Sequence, residues 1–442
     1  MNVFVRFGLT ALCVFLLSGS FADAYEEQWG YVQVREKAHM FYWSYRSPQR
    51  SVSSMARPTI LWLQGGPGGS GVGRGNFLEI GPLDVNLQPR NSTWLRKADL
   101  IFVDCPVGVG YSYVEDASAL ATTDAQVAAD TMVLLKNISE RIPALQSSPL
   151  FLVGESYGGK LAAMIGVSVA RAIRAGTLNL KLGGVVLGNS WISPADFAVS
   201  HARLLHDVSR LNDIAVGPAN RMAATVKEKM AVGQFAMARK TWIDLLDLID
   251  YHSNSVNMEN FLLDTSMNPI LENPSSLRSS QLMSQVSPAA NTIDAIMNGV
   301  IKKKLMIIPK NLIWQEASIQ VHDALANTFM KPAINEVDAL LAYGVNVTVY
   351  NGQLDVICPT IGVEAWVKKL KWDGLKNFLS LPRDPLRYRD SSKHLSRAIE
   401  AYVRSYKSLN FYWILLAGHM VPVDQRAVAL GMISSIIESP DN

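Results

Sequence analysis

The sequence predicts an α/β protein with a mostly parallel central sheet flanked by helices and a mainly helical insertion. Two observations support this fold class. Short apolar runs in the first part of the chain are continuously hydrophobic, which is typical of parallel strands covered on both faces. From about residue 194 to 342, apolar residues instead recur at helical spacing. We therefore predict a first core part at 25–194, a helical cap insertion at 195–342 and a second core part at 343–442.

The individual elements follow along the chain. Four apolar runs end at Gly, Pro or Asp turn signals and are predicted strands: 59–63, 100–103, 150–153 and 185–187. A helix is predicted directly after the third strand, over about 161–175. Beyond the insertion the predicted elements are two strands and a last helix: 345–350, 411–416 and 424–437.

The N-terminus predicts a cleaved leader. Arg6 precedes an apolar run at 7–17, and Ala22-Asp23-Ala24 has the small-x-small spacing of a signal-peptidase site. The run is shorter than the roughly 20 residues that a spanning helix needs. We therefore expect a signal peptide at 1–24 and a soluble mature protein, either secreted or vacuolar/lysosomal. In an exported chain, three Asn-x-Ser/Thr sequons are candidate glycosylation sites: Asn91, Asn137 and Asn346.

Composition excludes several other functions. The net charge of +3 over 442 residues is too small to favour nucleic acid or an anionic membrane as a partner, and the basic run 302–304 is interpreted as a solvated loop. No metal-ligand spacing is present, and we expect no metal and no cofactor. Outside the leader the cysteines are Cys105 and Cys358, which can form at most one disulfide; we expect two free, partly buried thiols, and their bonding stays open on the sequence. The sequence does not determine the oligomeric state, and a homodimer is one of the possibilities.

A candidate nucleophile lies between a predicted strand and a predicted helix. Residues 154–158 read Gly-Glu-Ser-Tyr-Gly, which fits the G-x-S-x-G pattern around a strained strand-to-helix turn. The turn exposes the Ser156 hydroxyl at the carboxyl end of the sheet, and the helix N-terminus behind it favours developing negative charge. This context indicates the nucleophile elbow of an α/β-hydrolase fold.

A serine needs a base and an acid that orients the base. In α/β-hydrolases these follow the serine in the order acid, then histidine, each in a loop after a core strand. Asp355 and His419 have this placement. The remaining histidines lack it: His39, His201, His206, His252, His322 and His394.

An oxyanion hole requires two backbone N–H groups aimed at the developing charge. One is expected from Tyr157, the residue after the nucleophile. The other is expected from the Gly-rich loop 64–69, where glycines let backbone approach the substrate. This loop lacks the Lys-Ser/Thr ending of a phosphate-binding P-loop.

Taken together, these segments resemble the serine carboxypeptidase family over nearly the whole mature chain. The resemblance is closest to the branch that contains the retinoid-inducible serine carboxypeptidase and plant serine carboxypeptidase-like proteins. It is carried by ordered blocks: WLQGGPG at 62–68, FLEIGP at 77–82, DCPVGVGYSY at 104–113, GESYGG at 154–159, NGQLDVIC at 351–358 and GHMVP at 418–422.

The resemblance implies roles for individual residues. It implies a triad of Ser156, Asp355 and His419, and oxyanion donors at the backbone of Gly66 and Tyr157. It further implies that the terminal carboxylate of a peptide substrate is held by four residues: Gln64, Gly65, Glu79 and Glu155. A carboxyl group donates a hydrogen bond only when protonated, and two glutamates in one cleft disfavour full ionisation. We therefore expect peptidase activity at acidic pH, highest near about pH 5.

Two other functions stay open on the sequence. Plant relatives of this family include acyltransferases, whose triad resembles the hydrolytic one. A catalytically silent binding or scaffold protein on the same fold is the second alternative, because fold alone never proves activity.

Overall fold

The computed structural model describes residues 25–49, 56–265, 292–388 and 398–438. The predicted leader at 1–24 and His394 lie outside these residues. The described strands belong to one mixed sheet: β1 Glu26–Arg35, β2 Ala38–Arg46, β3 Thr59–Leu63, β4 Asp99–Val103, β5 Tyr113–Val114, β6 Pro149–Glu155, β7 Lys181–Gly188, β8 Val347–Gly352, β9 Asp384–Leu386, β10 Ala401–Tyr406 and β11 Leu409–Ile414.

The centre of the sheet is parallel. Its order is β1-β2-β4-β3-β6-β7-β8-β11-β10-β9, and β5 pairs with β2. The pairs from β4 through β3, β6, β7 and β8 to β11 are parallel, whereas the pairs at both ends are antiparallel. All five residues of β3 are buried, because helices cover both faces of the sheet there. The α/β fold class, with its mostly parallel sheet, is confirmed.

The helices lie on the two faces and in the long connection between β7 and β8. Their bounds are α1 Asp124–Arg141, α2 Ala144–Ser147, α3 Tyr157–Arg174, α4 Pro194–Asp207, α5 Asp213–Ala231, α6 Phe235–Ser253, α7 Ile293–Ile296, α8 Lys302–Leu305, α9 Ile319–Ala324, α10 Ala326–Phe329, α11 Ile334–Ala342, α12 Thr360–Val367, α13 Leu375–Ser380, α14 Val421–Asp424 and α15 Arg426–Ile437. Two π-type helical segments, Gly71–Ile80 and Met297–Ile301, and two 3₁₀ turns, Trp94–Arg96 and Ala117–Ala119, complete the described helical structure. Within the described ranges, no helix is both long and apolar enough to cross a bilayer.

The antiparallel strands at the sheet ends were not predicted. β1 is exposed or half-buried over its first four residues and alternates with buried residues only after them, so it lacks the continuous apolar run of a central strand. Its hairpin partner β2 is buried from Met40 to Tyr45, and its apolar run Met40–Trp43 was not recognised as a strand. The last core strand, β11, also begins two residues earlier than predicted.

The basic run at 302–304 is not a solvated loop. It forms the short helix α8, and Lys304 Nζ pairs with Glu27 Oε2 of β1 at 2.6 Å. The same ammonium lies 5.3 Å from the centre of the Trp43 ring. The run therefore attaches the connection between β7 and β8 to the edge of the sheet.

The connection between β7 and β8 also contacts the Gly-rich loop after β3. Gly69 and Ala317 form an isolated antiparallel bridge. Ser70 N donates to Glu316 O at 3.0 Å, and Ser318 N donates to Gly68 O at 2.9 Å. Backbone from the inserted helical region thus holds the loop at the carboxyl edge of the sheet, where the candidate site lies.

Candidate active site

Ser156 occupies a strained turn between β6 and α3. Its backbone has φ 58° and ψ −125°, in the left-handed half of conformational space that a residue with a Cβ rarely adopts. Its N–H donates to Gly188 O at 3.0 Å, and its carbonyl accepts from Trp191 N at 2.8 Å. These bonds to the end of β7 and to the segment after it hold the turn in its strained conformation.

The flanking glycines are required by close packing. A Cβ on Gly158 would collide with the carbonyl of Leu63 at the end of β3, and a Cβ on Gly154 would collide with the carbonyl of Gly158. Larger residues at either position would therefore push α3 away from the sheet. The G-x-S-x-G spacing is a steric condition for bringing Ser156 to this edge.

Asp355 and His419 meet in the loops after β8 and β11. His419 Nδ1 lies 2.8 Å from Asp355 Oδ2, and both side chains are buried. Asp355 Oδ2 also accepts from Asn189 Nδ2 at 2.7 Å, and its Oδ1 accepts from Cys358 N at 3.0 Å. Among the described residues, the hydrogen bond from Ser156 to His419 is not formed, and such bonds commonly tighten only around a substrate.

The protonation of His419 is controlled by Asp355. Burial alone would lower the pKa of His419, but the charge of Asp355 and its hydrogen bond raise it above the usual value. The same hydrogen bond fixes the tautomer that leaves Nε2 free to accept a proton. The pair is therefore arranged as a general base with a carboxylate that stabilises the imidazolium.

The candidate oxyanion loop packs directly on the nucleophile. A Cβ on Gly65 would lie 2.5 Å from the Cβ of Ser156 and 2.9 Å from the carbonyl of Glu155. Gly66 has φ 113°, a region that L-residues other than glycine avoid. Gly69 N donates to Gly65 O at 2.9 Å and closes the loop. The loop therefore brings its backbone next to Ser156 and Tyr157, as two-donor oxyanion binding requires.

The side chain of Tyr157 is anchored in a buried polar network. Its hydroxyl donates to Asp124 Oδ1 of α1, and Lys160 Nζ of α3 pairs with Asp124 Oδ2 at 2.9 Å. Lys160 Nζ also donates to Thr328 O of α10 at 2.6 Å, and burial lowers the Lys160 pKa. The network was not predicted, and it fixes the residue after the nucleophile to both the core and the inserted helices.

The predicted carboxylate-binding residues are brought together beside the serine. Gln64 Oε1 accepts from Trp62 Nε1 at 2.8 Å, and Gln64 Nε2 donates to Glu155 Oε1 at 3.0 Å. Glu79 and Glu155 are each only 1% exposed. Neither oxygen of Glu79, nor Oε2 of Glu155, accepts a hydrogen bond from a donor group, and the two carboxyls lie close enough to share a proton. The four residues thus form a buried acidic pair with the Gln64 amide beside it. The sequence did not predict that the Trp62 indole holds this amide in place.

Both acids are shifted toward the protonated form. Burial raises the pKa of Glu79 above its usual value. Burial, followed by the charge of Glu79, raises the pKa of Glu155 well above its usual value. Two adjacent buried carboxyls cannot both ionise without a large penalty, so the pair retains at least one proton at acidic pH.

Two further charged residues at the site were missed. Arg74 lies on the segment Gly71–Ile80, five residues before Glu79, and its side chain is 17% exposed. Glu259 follows α6, and its backbone carbonyl accepts from His419 N at 2.7 Å. Neither residue stands in a post-strand turn, so only the three-dimensional packing reveals them.

One group of potential metal ligands occurs among the described residues. Ligand atoms of Asp355, Cys358 and His419 lie within 4.8 Å of one another, and all three residues are buried. Asp355 Oδ2 and His419 Nδ1 are already hydrogen-bonded to each other in the candidate catalytic pair. Cys105 and Cys358 are both free, as expected, but fully rather than partly buried, and burial raises the pKa of each thiol. The arrangement therefore favours proton transfer over ion binding.

The three sequons lie in different environments. Asn91 is exposed in a loop, and Asn137 is partly exposed on α1, where its Nδ2 donates to Val133 O at 3.1 Å. Asn346 is partly buried just before β8, and the Thr348 of its sequon is 2% exposed. Asn91 is thus the most exposed of the three sequon asparagines.

Comparisons with known proteins agree with this geometry. A family model described as serine carboxypeptidase matches residues 19–439. The serine carboxypeptidase-like protein 51 of Arabidopsis thaliana is 51% identical over 431 residues, covering 94% of this chain and 92% of that protein. The retinoid-inducible serine carboxypeptidase of Mus musculus is 43% identical over 416 residues, covering 93% of this chain and 91% of that protein. The crystal structure of Kex1Δp, a prohormone-processing carboxypeptidase of Saccharomyces cerevisiae, matches with a TM-score of 0.76 at 23% identity, covering 93% of this chain and 90% of that one.

Proposed function

The chain belongs to the serine carboxypeptidase family, and we propose that it removes C-terminal residues from peptides through an acyl-enzyme on Ser156. The observation that carries this proposal is the buried pair of Glu79 and Glu155 next to the nucleophile, in which three carboxyl oxygens accept no hydrogen bond from a donor group. Burying two adjacent acids costs free energy unless a partner satisfies them. The terminal carboxylate of a peptide is such a partner when the pair holds a proton.

Acylation follows from the arrangement of the triad. Ser156 Oγ attacks the last peptide carbonyl while His419 Nε2 takes the hydroxyl proton, and the backbone N–H groups of Gly66 and Tyr157 stabilise the oxyanion. The carbon–nitrogen bond then breaks, and His419 gives its proton to the departing amine. Asp355 stabilises the imidazolium between these two steps. Water repeats the sequence on the acyl-enzyme and releases the shortened peptide, with the proton returned to Ser156.

Recognition of the chain end uses the groups on the other side of the serine. Protonated Glu155 donates through Oε2, the oxygen without a partner, to a carboxylate oxygen of the substrate. The amide of Gln64, turned by its bond to Trp62, and the backbone N–H of Gly65 complete the set of donors. A C-terminal amide lacks the negative charge that these donors match, so it gains less from them.

This division of roles predicts the limits of the pH profile. Peptide hydrolysis is lost at higher pH as the Glu79–Glu155 pair ionises, and at lower pH as His419 becomes protonated. Because Asp355 raises the pKa of His419, the lower limit lies above that of an isolated histidine. The raised pKa of His419 therefore favours a pH optimum above the value of about pH 5 that is expected from the sequence. A profile on an amide substrate isolates the His419 limb and measures its position.

The test combines covalent labelling with product analysis. A fluorophosphonate should label the wild-type enzyme and not Ser156→Ala, because the probe needs the activated hydroxyl. Free amino acid should be released from unblocked peptides in acidic buffer, faster than from the same peptides with C-terminal amides. Transfer of acyl groups from glucose esters without amino-acid release would support the acyltransferase alternative instead. An intact protein that does not label would support a catalytically silent role.

We further propose that the protein enters the secretory pathway through the leader at 1–24. Asn91 is then the sequon most accessible after folding. Treatment of the secreted protein with an N-glycosidase should lower its mass, and Asn91→Gln should remove one glycan. Retention of the unprocessed N-terminus in purified protein would contradict the proposal.

A further inference from the structure

Arg74 projects toward the region between the acidic pair and the catalytic histidine. Its Nη2 lies 3.4 Å from the sulfur of Met420, the residue that follows His419. Its Nε lies 3.3 Å from Glu316 Oε1, which belongs to the inserted helical region. The side chain as a whole is 17% exposed, although its Nε is buried.

The proposed mechanism assigns a substrate group to this region. The departing residue has its carboxylate at Glu155 and its amine at His419, and both groups are attached to the same Cα. Its side chain must therefore leave that Cα between the two anchoring points. Arg74 borders this space because it touches Met420 next to His419 and its charge acts on Glu155. We call the space bordered by Arg74, Glu316 and Met420 the leaving-residue pocket.

The guanidinium of Arg74 has hydrogen-bonding capacity left. A guanidinium offers five N–H donors, and a thioether sulfur is only a weak acceptor. The bond from Nη2 goes to such a sulfur, whereas the buried Nε is ion-paired with Glu316 Oε1 at 3.3 Å, so the open donors are those of the two Nη groups. A carboxylate accepts two parallel bonds from a guanidinium, the geometry that arginine recognises best.

Arg74 also compensates the acids around it. Burial alone would lower its pKa, but the charges of Glu316, Glu259, Glu79 and Glu155 raise it, so it stays a cation. Glu259 keeps an unpartnered Oε2. In this acidic surrounding Arg74 is the cation that borders the pocket, so a lysine or arginine side chain placed against its guanidinium meets a like charge.

We propose that Arg74 determines the specificity for the departing residue, favouring an acidic C-terminal side chain over a basic one. The inference rests on the proposed carboxypeptidase function and adds the side-chain preference to it. An acidic side chain gains donors from the guanidinium, and a basic one meets a like charge in a partly desolvated pocket. Specificity here is a difference between two substrates, so the ratio of their kcat/KM values measures it.

The experiment compares peptides that differ only in a C-terminal Glu, Leu or Lys. Assays at about pH 5.5 keep a glutamate side chain of usual pKa ionised. In Arg74→Met the Glu-to-Lys ratio of kcat/KM should fall at least about tenfold, because one attraction is lost and one repulsion is removed. Arg74→Lys, which keeps the charge, should retain most of the preference. Glu316→Gln should shift the ratio in the opposite direction.

The controls separate specificity from folding. Arg203→Met, which removes an exposed arginine of α4, should leave all three substrates unchanged. Hydrolysis of the C-terminal Leu peptide by Arg74→Met measures the effect of the lost charge on the site itself, since a neutral side chain does not use that charge, and the Glu and Lys rates are compared after normalisation to it. If Arg74→Met fails to fold, the test rests on Glu316→Gln and Arg74→Lys. A Glu-to-Lys ratio of kcat/KM that Glu316→Gln leaves unchanged then contradicts the proposal.

Two outcomes overturn different claims. An enzyme that cleaves all three peptides, with a ratio unaffected by Arg74→Met, refutes the role of Arg74 and leaves the carboxypeptidase function standing. An enzyme that labels with fluorophosphonate but releases no C-terminal residue from any peptide refutes the proposed function itself. A uniform loss on Glu, Leu and Lys peptides refutes side-chain selection and assigns Arg74 to general positioning.

Discussion

Replacing Glu155 by Gln separates carboxylate recognition from catalysis. In the wild type, Glu155 Oε1 accepts from Gln64 Nε2 at 3.0 Å and Oε2 has no partner. A glutamine in the same conformation keeps the first bond through its carbonyl oxygen. Its NH₂ group takes the place of Oε2 and donates to the substrate at every pH. The variant therefore resembles the protonated wild-type enzyme and has no proton to lose there.

The magnitude follows from one charge-assisted hydrogen bond. Such a bond contributes about 1.5–3 kcal/mol, which corresponds to about 10- to 150-fold in kcat/KM. Glu155→Leu should lose this factor on peptides at acidic pH, whereas Glu155→Gln should stay within about threefold of wild type. The sign changes at higher pH. Because the pKa of Glu155 is raised, recognition is present below that pKa and is lost above it. Above it the Gln variant should exceed the wild type, by up to about tenfold for each pH unit.

The assay is a pH series of kcat/KM on a peptide and on its C-terminal amide. For the amide, wild type and Glu155→Gln should give the same profile, limited on the acid side by His419. For the peptide, the alkaline limb of the wild type should disappear in the variant. If both enzymes lose peptide hydrolysis in step as the pH rises, Glu155 is not the titrating group and the reasoning fails.

Three other substitutions test the rest of the site. Gly65→Ala should reduce fluorophosphonate labelling and hydrolysis of all substrates by at least about 100-fold, because its Cβ would lie 2.5 Å from that of Ser156; near-normal labelling would contradict the close packing. Asp355→Asn should keep the fold, as measured by circular dichroism, and lower kcat on peptide and amide alike by about 10⁴-fold; unequal losses would argue against a shared base. Lys160→Met should lower the free energy of unfolding by about 3–5 kcal/mol because it leaves the Asp124 carboxylate buried without its ion-pair partner. The double variant with Asp124→Asn should lose less than the sum of the two single changes, and strict additivity in denaturant titrations would refute the coupling.

The predicted parts of the fold are those that depend on local pattern. β3 and β6 were recognised because a strand buried on both faces is apolar without interruption, and the glycines around Ser156 are dictated by contacts close in sequence. β1 was missed because it lies at the end of the sheet and alternates buried with partly exposed residues, whereas β2 is buried almost throughout and its apolar run was overlooked. A continuous apolar pattern thus detects a fully buried strand better than a partly exposed strand at the end of the sheet.

The residues of the site also fall into a group that the sequence pattern predicted and a group that it did not. Ser156, Asp355 and His419 each follow a core strand, so their proximity follows from the parallel order of the sheet. Arg74 and Glu259 reach the site from a helical segment and from the insertion, and no post-strand turn marks them. Sequence alone does not determine such contacts, because they depend on how the inserted helices pack against the sheet.

Chemistry and selectivity consequently rest on different parts of the molecule. The reacting groups are held by strand ends, and the strain at Ser156 is balanced by bonds to Gly188 and Trp191 at the neighbouring strand and the segment after it. The groups around the leaving-residue pocket include Glu316 from the inserted region, attached to the core through backbone bonds at the Gly-rich loop. A change at Glu316 therefore alters which residue is released without displacing the triad. A change at Gly65 displaces the nucleophile whatever the substrate.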